Sequence, residues 1–387
     1  MSYTHKYKKV LSYIENYWPK VTFQAKDDDE RFIGLPHEFV APNETKFSQS
    51  QYYWDSFFTI LGLVVSDKEN LARGMINNFS YLINRFGMAP TRNRFYDTDR
   101  SQLPFFTSMI LEIYEKWQNN EWLFEMANSA ERELFEYWKN KTHLIEEGLS
   151  CYAGSAIRND VEAEYESGWD LTSRFKNHCL DYLPVDLNSC LYKYEKDLKF
   201  IYEVLGNKER SQSYNKQAEL RKEKINQLCW NNEKNFFFDY NYKEKSLSNF
   251  YSMAGFYPLW AKIVNEQQAK KCVEALSIFE YNGGLVNSQK EGLLEPYRQW
   301  DWPNGWSGQQ WIAFEGLLNY GYKEDAKRIA LKWLDLNAKV FEETGKMWEK
   351  YDVVNMTVGK DGRYPTQSGF GWTNGVFARL VYELEKL

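Results

Sequence analysis

Apolar residues in this chain recur at helical spacing in segment after segment. Ile329, Trp333, Leu336 and Val340 step by 4, 3 and 4 through a stretch whose other positions are largely charged, which is the stripe of a helix with one face in a core. Leu198, Ile201, Tyr202 and Leu205 repeat the pattern before Gly206-Asn207 ends it. Similar stripes run around residues 55–65, 70–86, 104–117, 121–139, 212–228, 257–275 and 308–320. Strand signals are scarce: Phe236–Tyr240 followed by polar Asn241–Glu244 predicts one hairpin. The chain therefore reads as all-α with few short strands, and its stripes predict ten to twelve helices. No Pro- or Ser-rich linker and no charge block divides it, so residues 1–387 are expected to form one domain, with residues 1–40 as an N-terminal extension. The acidic run Asp27–Glu30 carries no apolar stripe and reads as a solvated loop.

The loops between the stripes hold an excess of rings. With 15 Trp, 28 Tyr and 25 Phe, aromatic residues make up 18% of the sequence, more than a core filled by aliphatic side chains needs. The rings also meet acids. Composition alone places about two Trp directly before an acid; there are four, Trp54-Asp55, Trp169-Asp170, Trp300-Asp301 and Trp348-Glu349. A single such pair is also what a core ring beside a helix cap looks like. All four, however, lie in stretches dense in other polar and aromatic residues. A pyranose has C–H faces that pack on flat rings and a rim of hydroxyls that carboxylates, amides and guanidinium groups bracket, so a sugar pocket needs rings and acids together. Cutting the sugar needs one carboxylic acid to protonate the leaving oxygen and one carboxylate across from it, and apolar walls raise the pKa of the former.

Other partners are poorly matched. The net charge is −6, and no Lys/Arg cluster is built to neutralise a run of phosphates, which argues against nucleic acid. Nothing approaches an 18-residue apolar span or a signal sequence, so no membrane partner and a cytosolic location are expected. Five cysteines, Cys151, Cys179, Cys190, Cys229 and Cys272, are odd in number and never spaced as CxxC. They read as reduced, buried thiols, with neither a metal site nor a cofactor expected.

Several motifs resemble the trehalases, glycoside hydrolase family 37. Gln299–Trp306 is similar to that family's second signature and Tyr52–Phe58 to the end of its first. Arg100-Ser101-Gln102 with Pro104-Phe105-Phe106, Ser167–Asp170 with Ser173-Arg174, Asp186-Leu187-Asn188, Glu349–Asp352 and Gly369–Gly375 follow in family order. The likeness runs from about residue 40 to the C-terminus, and its clan includes hydrolases of glucosylglycerate and mannosylglycerate. It implies an (α/α)6 toroid that hydrolyses an α-glucoside with inversion and without metal, with Asp170 as general acid and Glu349 as general base. Their carboxyls would stand roughly 6.5–9.5 Å apart to admit one water. It also implies a pocket built from Phe47, Tyr52, Trp54, Asp55, Arg100, Gln102, Arg158, Gly168, Trp300, Asp301, Arg363, Phe370 and Trp372.

Glu349 is followed by Lys350, which suits a carboxylate that must stay ionised, whereas Arg174 near Asp170 must be paired elsewhere if Asp170 is to carry a proton. The leaving-group side departs from the family: Lys46 stands where it has arginine, Thr91 where it has asparagine, Arg158-Asn159-Asp160 where it has arginine-proline-glutamate, and Arg363 where it has glutamate. Trehalose is the substrate the family implies. The extra cations point instead to an anionic or glyceryl leaving group, as in glucosylglycerate or glucosylglycerol, and a sugar-binding toroid without catalysis is the reading from another class.

Overall fold

The computed structural model describes residues 2–153 and 158–387. Six inner helices, Tyr53–Val65, Phe106–Lys116, Val185–Val204, Tyr257–Trp260, Ser307–Asn319 and Gly371–Lys386, each touch the next, and the last closes onto the first. Six outer helices alternate with them along the chain: Lys8–Val21, Glu69–Phe86, Asn120–Glu133, Lys208–Cys229, Glu266–Glu274 and Lys323–Thr344. The result is a double ring of helices, the (α/α)6 toroid. Three further short helices, Tyr3–Lys6, Asp160–Glu166 and Leu276–Phe279, complete those of the described residues.

Burial separates the two rings as their sequences dictate. Every residue of Tyr53–Val65 except the last is buried, whereas Lys323–Thr344 buries one stripe that includes Ile329, Trp333, Leu336 and Val340. Inner helices packed on both sides need close approach. A Cβ on Gly62 would lie 2.4 Å from the Gly375 Cα, so only glycine lets the first and last inner helices meet backbone to backbone. The segment before residue 40 is part of the ring: Lys8–Val21 packs on Gly371–Lys386, and Thr22–Phe23 pairs with Phe39–Val40. Asp28 pairs with Arg85, and Asp29 accepts bonds from the Arg31 and Phe32 amides, in an exposed turn.

Inner helices reach the following outer helix through three to five residues, for example 66–68 and 205–207, while the return connections are long, such as 87–105, 134–184 and 345–370. All long loops therefore gather at the end where inner helices begin. The short sheets lie in these loops, among them Lys350–Asp352 paired antiparallel with Asn304–Trp306 in the register Trp306↔Lys350.

Two expectations are corrected. The single hairpin at 236–244 is two: Phe236–Phe237 pairs with Trp230–Asn231, and Tyr240–Asn241 pairs with Ser246–Leu247 and Tyr182–Leu183. The run breaks because Asp239 turns inward to meet Arg174. The stripe at 257–275 is two helices, since Lys262 adopts φ 60° and Asn265 starts a new helix with a capping box to Gln268.

Candidate active site

A cavity of about 360 Å³ opens at the loop end of the toroid. The starts of three inner helices build its floor: Tyr52, Trp54 and Asp55 at one, Trp306 at the second, Phe370 and Trp372 at the third. Nine of its 21 lining residues carry aromatic rings. Trp300 stacks on Trp306 with centroids 3.9 Å apart and planes 3° from parallel, and tilts against Trp54 and Trp169 at 5.3 Å each. Trp372 stands edge-on to Trp54 and Trp306 and packs on Phe370. Flat apolar faces backed by further rings are what a pyranose C–H face packs on.

Asp170 and Glu349 both face this cavity. Asp170 sits on a turn with three positive angles close together, Gly168 at φ 77°, Asp170 at 46° and Leu171 at 73°. For Asp and Leu that conformation is strained, and the surrounding packing must hold it. Gly168 is required here, because a Cβ would fall 2.8 Å from the Trp54 ring. Burial raises the Asp170 pKa; Arg363 lowers it, Glu349 raises it, and Arg100 and Arg92 lower it further, leaving it at about 6.

Glu349 is buried in a different setting. The Tyr364 hydroxyl donates to Oε1 at 2.7 Å, and the buried Lys350 ammonium donates to Oε2 at 3.0 Å. The Gln367 amide donates to the same oxygen at 3.4 Å. Strand pairing places Lys350 opposite Trp306, so Glu349 is tied to the ring wall through its neighbour. Asp55, in the first turn of its inner helix, has its pKa raised by burial and then by Glu349 and Asp170.

The family model described as Trehalase matches residues 2–164 and 154–385. The chain belongs to the trehalase family. It is 32% identical to the cytosolic neutral trehalase of Kluyveromyces lactis across 90% of its own length, and it spans 56% of that relative. Among solved structures it is similar to the neutral trehalase Nth1 from Saccharomyces cerevisiae, with TM-score 0.80 and 29% identity over 95% of this chain and 78% of that one. The mannosylglycerate hydrolase from Thermus thermophilus in complex with glucose has TM-score 0.76 at 16% identity, over 97% of this chain and 99% of that one, a likeness of fold alone.

Of the residues that the trehalase resemblance assigns to the pocket, Phe47, Tyr52, Trp54, Asp55, Arg100, Gln102, Gly168, Trp300, Arg363, Phe370 and Trp372 line the cavity. Two do not. Asp301 is buried behind the wall and absent from the cavity lining; it accepts bonds from the Ser173 amide and hydroxyl and so fixes the loop that follows Asp170. Arg158 is exposed, at φ 38°, and is absent from the cavity lining. Arg174 is paired, as Asp170 requires: it lies fully buried and bidentate to both Asp186 and Asp239. Trp169 packs behind Trp300, and Trp348 turns to the Thr344 hydroxyl.

Sequence reasoning missed Arg92, Asp97 and Tyr165, which also line the trehalase cavity with Lys46, Tyr364 and Trp306. Arg92 donates to Asp97 at 2.5 Å and to the Tyr52 hydroxyl. The five-residue spacing of that ion pair was the available signal. Among the described residues no group of three or more His, Cys, Asp or Glu is arranged to hold a metal ion, and no helix is long and apolar enough to cross a membrane. All five cysteines are buried free thiols.

Proposed function

We propose that this cavity hydrolyses an α-linked glucoside of the trehalose type with inversion at the anomeric carbon. The observation that carries this reading is the pairing, in one ring-lined cavity, of two carboxyls in opposite surroundings. Asp170, with a pKa raised to about 6, stays protonated to a higher pH than an ordinary carboxyl, and in that form it donates its proton to the glycosidic oxygen as the C1–O bond breaks. Glu349, held by Lys350 and Tyr364, accepts a proton from the water that attacks C1 on the opposite face. After the products leave, Asp170 takes up a proton from solvent and Glu349 releases the one it gained.

The ring wall of Trp54, Trp300, Trp306 and Trp372 packs the sugar whose bond is cut, and Asp55 with Gln102 reaches its hydroxyls. The Gln102 side-chain oxygen already accepts from the Trp54 amide at 3.3 Å, which leaves its amide NH2 for the ligand. Glucose release from trehalose by the wild-type chain, compared with Asp170→Asn and Glu349→Gln, tests the assignment. Each variant should lose roughly 10²–10⁴-fold in kcat. Near-normal turnover in both would overturn the roles, and sugar binding without any turnover by the wild type would favour a binding toroid.

A further inference from the structure

Four cations line the cavity, and their partners divide them into two pairs. Arg92 is neutralised by Asp97, and Arg100 by Glu162 at 2.5 Å and Asp97 at 3.2 Å. Lys46 and Arg363 have no ion pair with a carboxylate among the described residues. Aromatic faces hold them instead: Lys46 Nζ lies 3.8 Å from the centre of the Tyr364 ring and 5.5 Å from that of Phe47, and the Arg363 guanidinium carbon lies 4.4 Å from the centre of the Tyr165 ring. A ring positions a cation without using its N–H donors. Asp361, the acid two residues before Arg363, is committed to the Thr366 amide at 2.7 Å.

Both side chains belong to exposed residues at the mouth, above the buried tryptophan wall. Lys46 and Arg363 line the same cavity as Asp170, the acid that meets the leaving oxygen in the reading above, and Arg363 lowers the Asp170 pKa; this rim is therefore assigned to the leaving-group side. Burial lowers the Lys46 pKa and Arg363 lowers it further, against the pull of Glu349 and Asp170. Both cations line the same cavity as Asp170 and Glu349.

We propose that Lys46 and Arg363 form an oxyanion subsite that binds a carboxylate or phosphate carried by the leaving group. The proposal rests on the hydrolase reading above and specifies the substrate class that such a site prefers. Guanidinium groups bind these oxyanions bidentately and in-plane with full charge assistance, so they gain more from a carboxylate or phosphate than from the neutral hydroxyls of glucose.

The test compares kcat/KM, at fixed ionic strength, for matched anionic and neutral substrates: glucosylglycerate against glucosylglycerol for the carboxylate arm, and trehalose 6-phosphate against trehalose for the phosphate arm. The wild-type chain should prefer the anionic member of at least one pair by about tenfold, and the preferred arm identifies the oxyanion. That preference should collapse in both Arg363→Gln and Lys46→Gln, whose thermal melts report folding. Neutral substrates matching or exceeding the anionic ones in both pairs would overturn the subsite while leaving the hydrolase reading intact. If no substrate is cut, titration of glycerate and inorganic phosphate into the glucose-saturated protein decides the subsite separately. Binding that Arg363→Gln weakens supports it, and no binding up to about 10 mM overturns it.

Discussion

At the scale of single residues, the proposed general acid Asp170 is expected to set the pH behaviour. Its active form is protonated, so kcat/KM should fall as pH rises through about 6. Arg363 lowers the Asp170 pKa; Arg363→Gln should therefore move that alkaline limb to higher pH, read from a pH–rate profile on a neutral substrate. The same group bears on stability. A carboxyl that binds its proton more tightly when folded costs stability once it ionises, an effect absent below the unfolded pKa near 4 and complete above about 6. Asp170→Asn should raise the unfolding free energy at pH 7 by on the order of 1–2 kcal/mol after solvent screening at this half-buried site, read from denaturant titrations. The gain should vanish below about pH 4. The acids that line the cavity were legible where a ring and an acid shared a short motif, as at Trp54-Asp55, Trp169-Asp170 and Trp348-Glu349. Asp301 defeated that logic because its carboxylate is consumed by Ser173, a partner far along the chain.

At the scale of elements, the outer helices Glu69–Phe86, Asn120–Glu133, Lys208–Cys229 and Lys323–Thr344 were readable because a half-buried helix must repeat its apolar face every 3.6 residues, whereas Lys8–Val21 was left in the extension although Val10, Ile14, Tyr17, Trp18 and Val21 form its buried face. The inner helix Tyr257–Trp260 was hidden inside a longer stripe, since apolar counting does not register a capping box. The hairpin at 236–244 failed for a related reason: Asp239 is buried through Arg174, an interaction with no local signal. The turn before Asp170 depends on glycine. Gly168→Ala meets the Trp54 ring at 2.8 Å and keeps φ at 77°, which should cost on the order of 1–3 kcal/mol. Because Trp54 and Asp170 both line the cavity, that variant should also lose activity more steeply than its drop in unfolding midpoint explains. Equal stability and activity to the wild type would show that the turn does not hold the acid.

At the scale of the whole molecule, closure of the ring depends on contacts between distant segments, Gly62 against Gly375 and Lys8–Val21 against Gly371–Lys386. Periodicity could count helices but not arrange them in a circle; the toroid was legible only through the trehalase motifs. Arg174 joins the loop after Asp170 to the inner helix Val185–Val204 and to the Asp239 turn in a fully buried triad. Arg174→Met leaves two buried acids unpaired and should destabilise the chain by about 3–5 kcal/mol, measured as a lowered denaturation midpoint. The central claim is that Asp170 and Glu349 act from opposite faces of the scissile bond. Proton NMR of the first sugars released from trehalose, recorded before mutarotation, tests it most directly. Inversion yields one β-glucose for each α-glucose, whereas release of α-glucose alone would contradict the account.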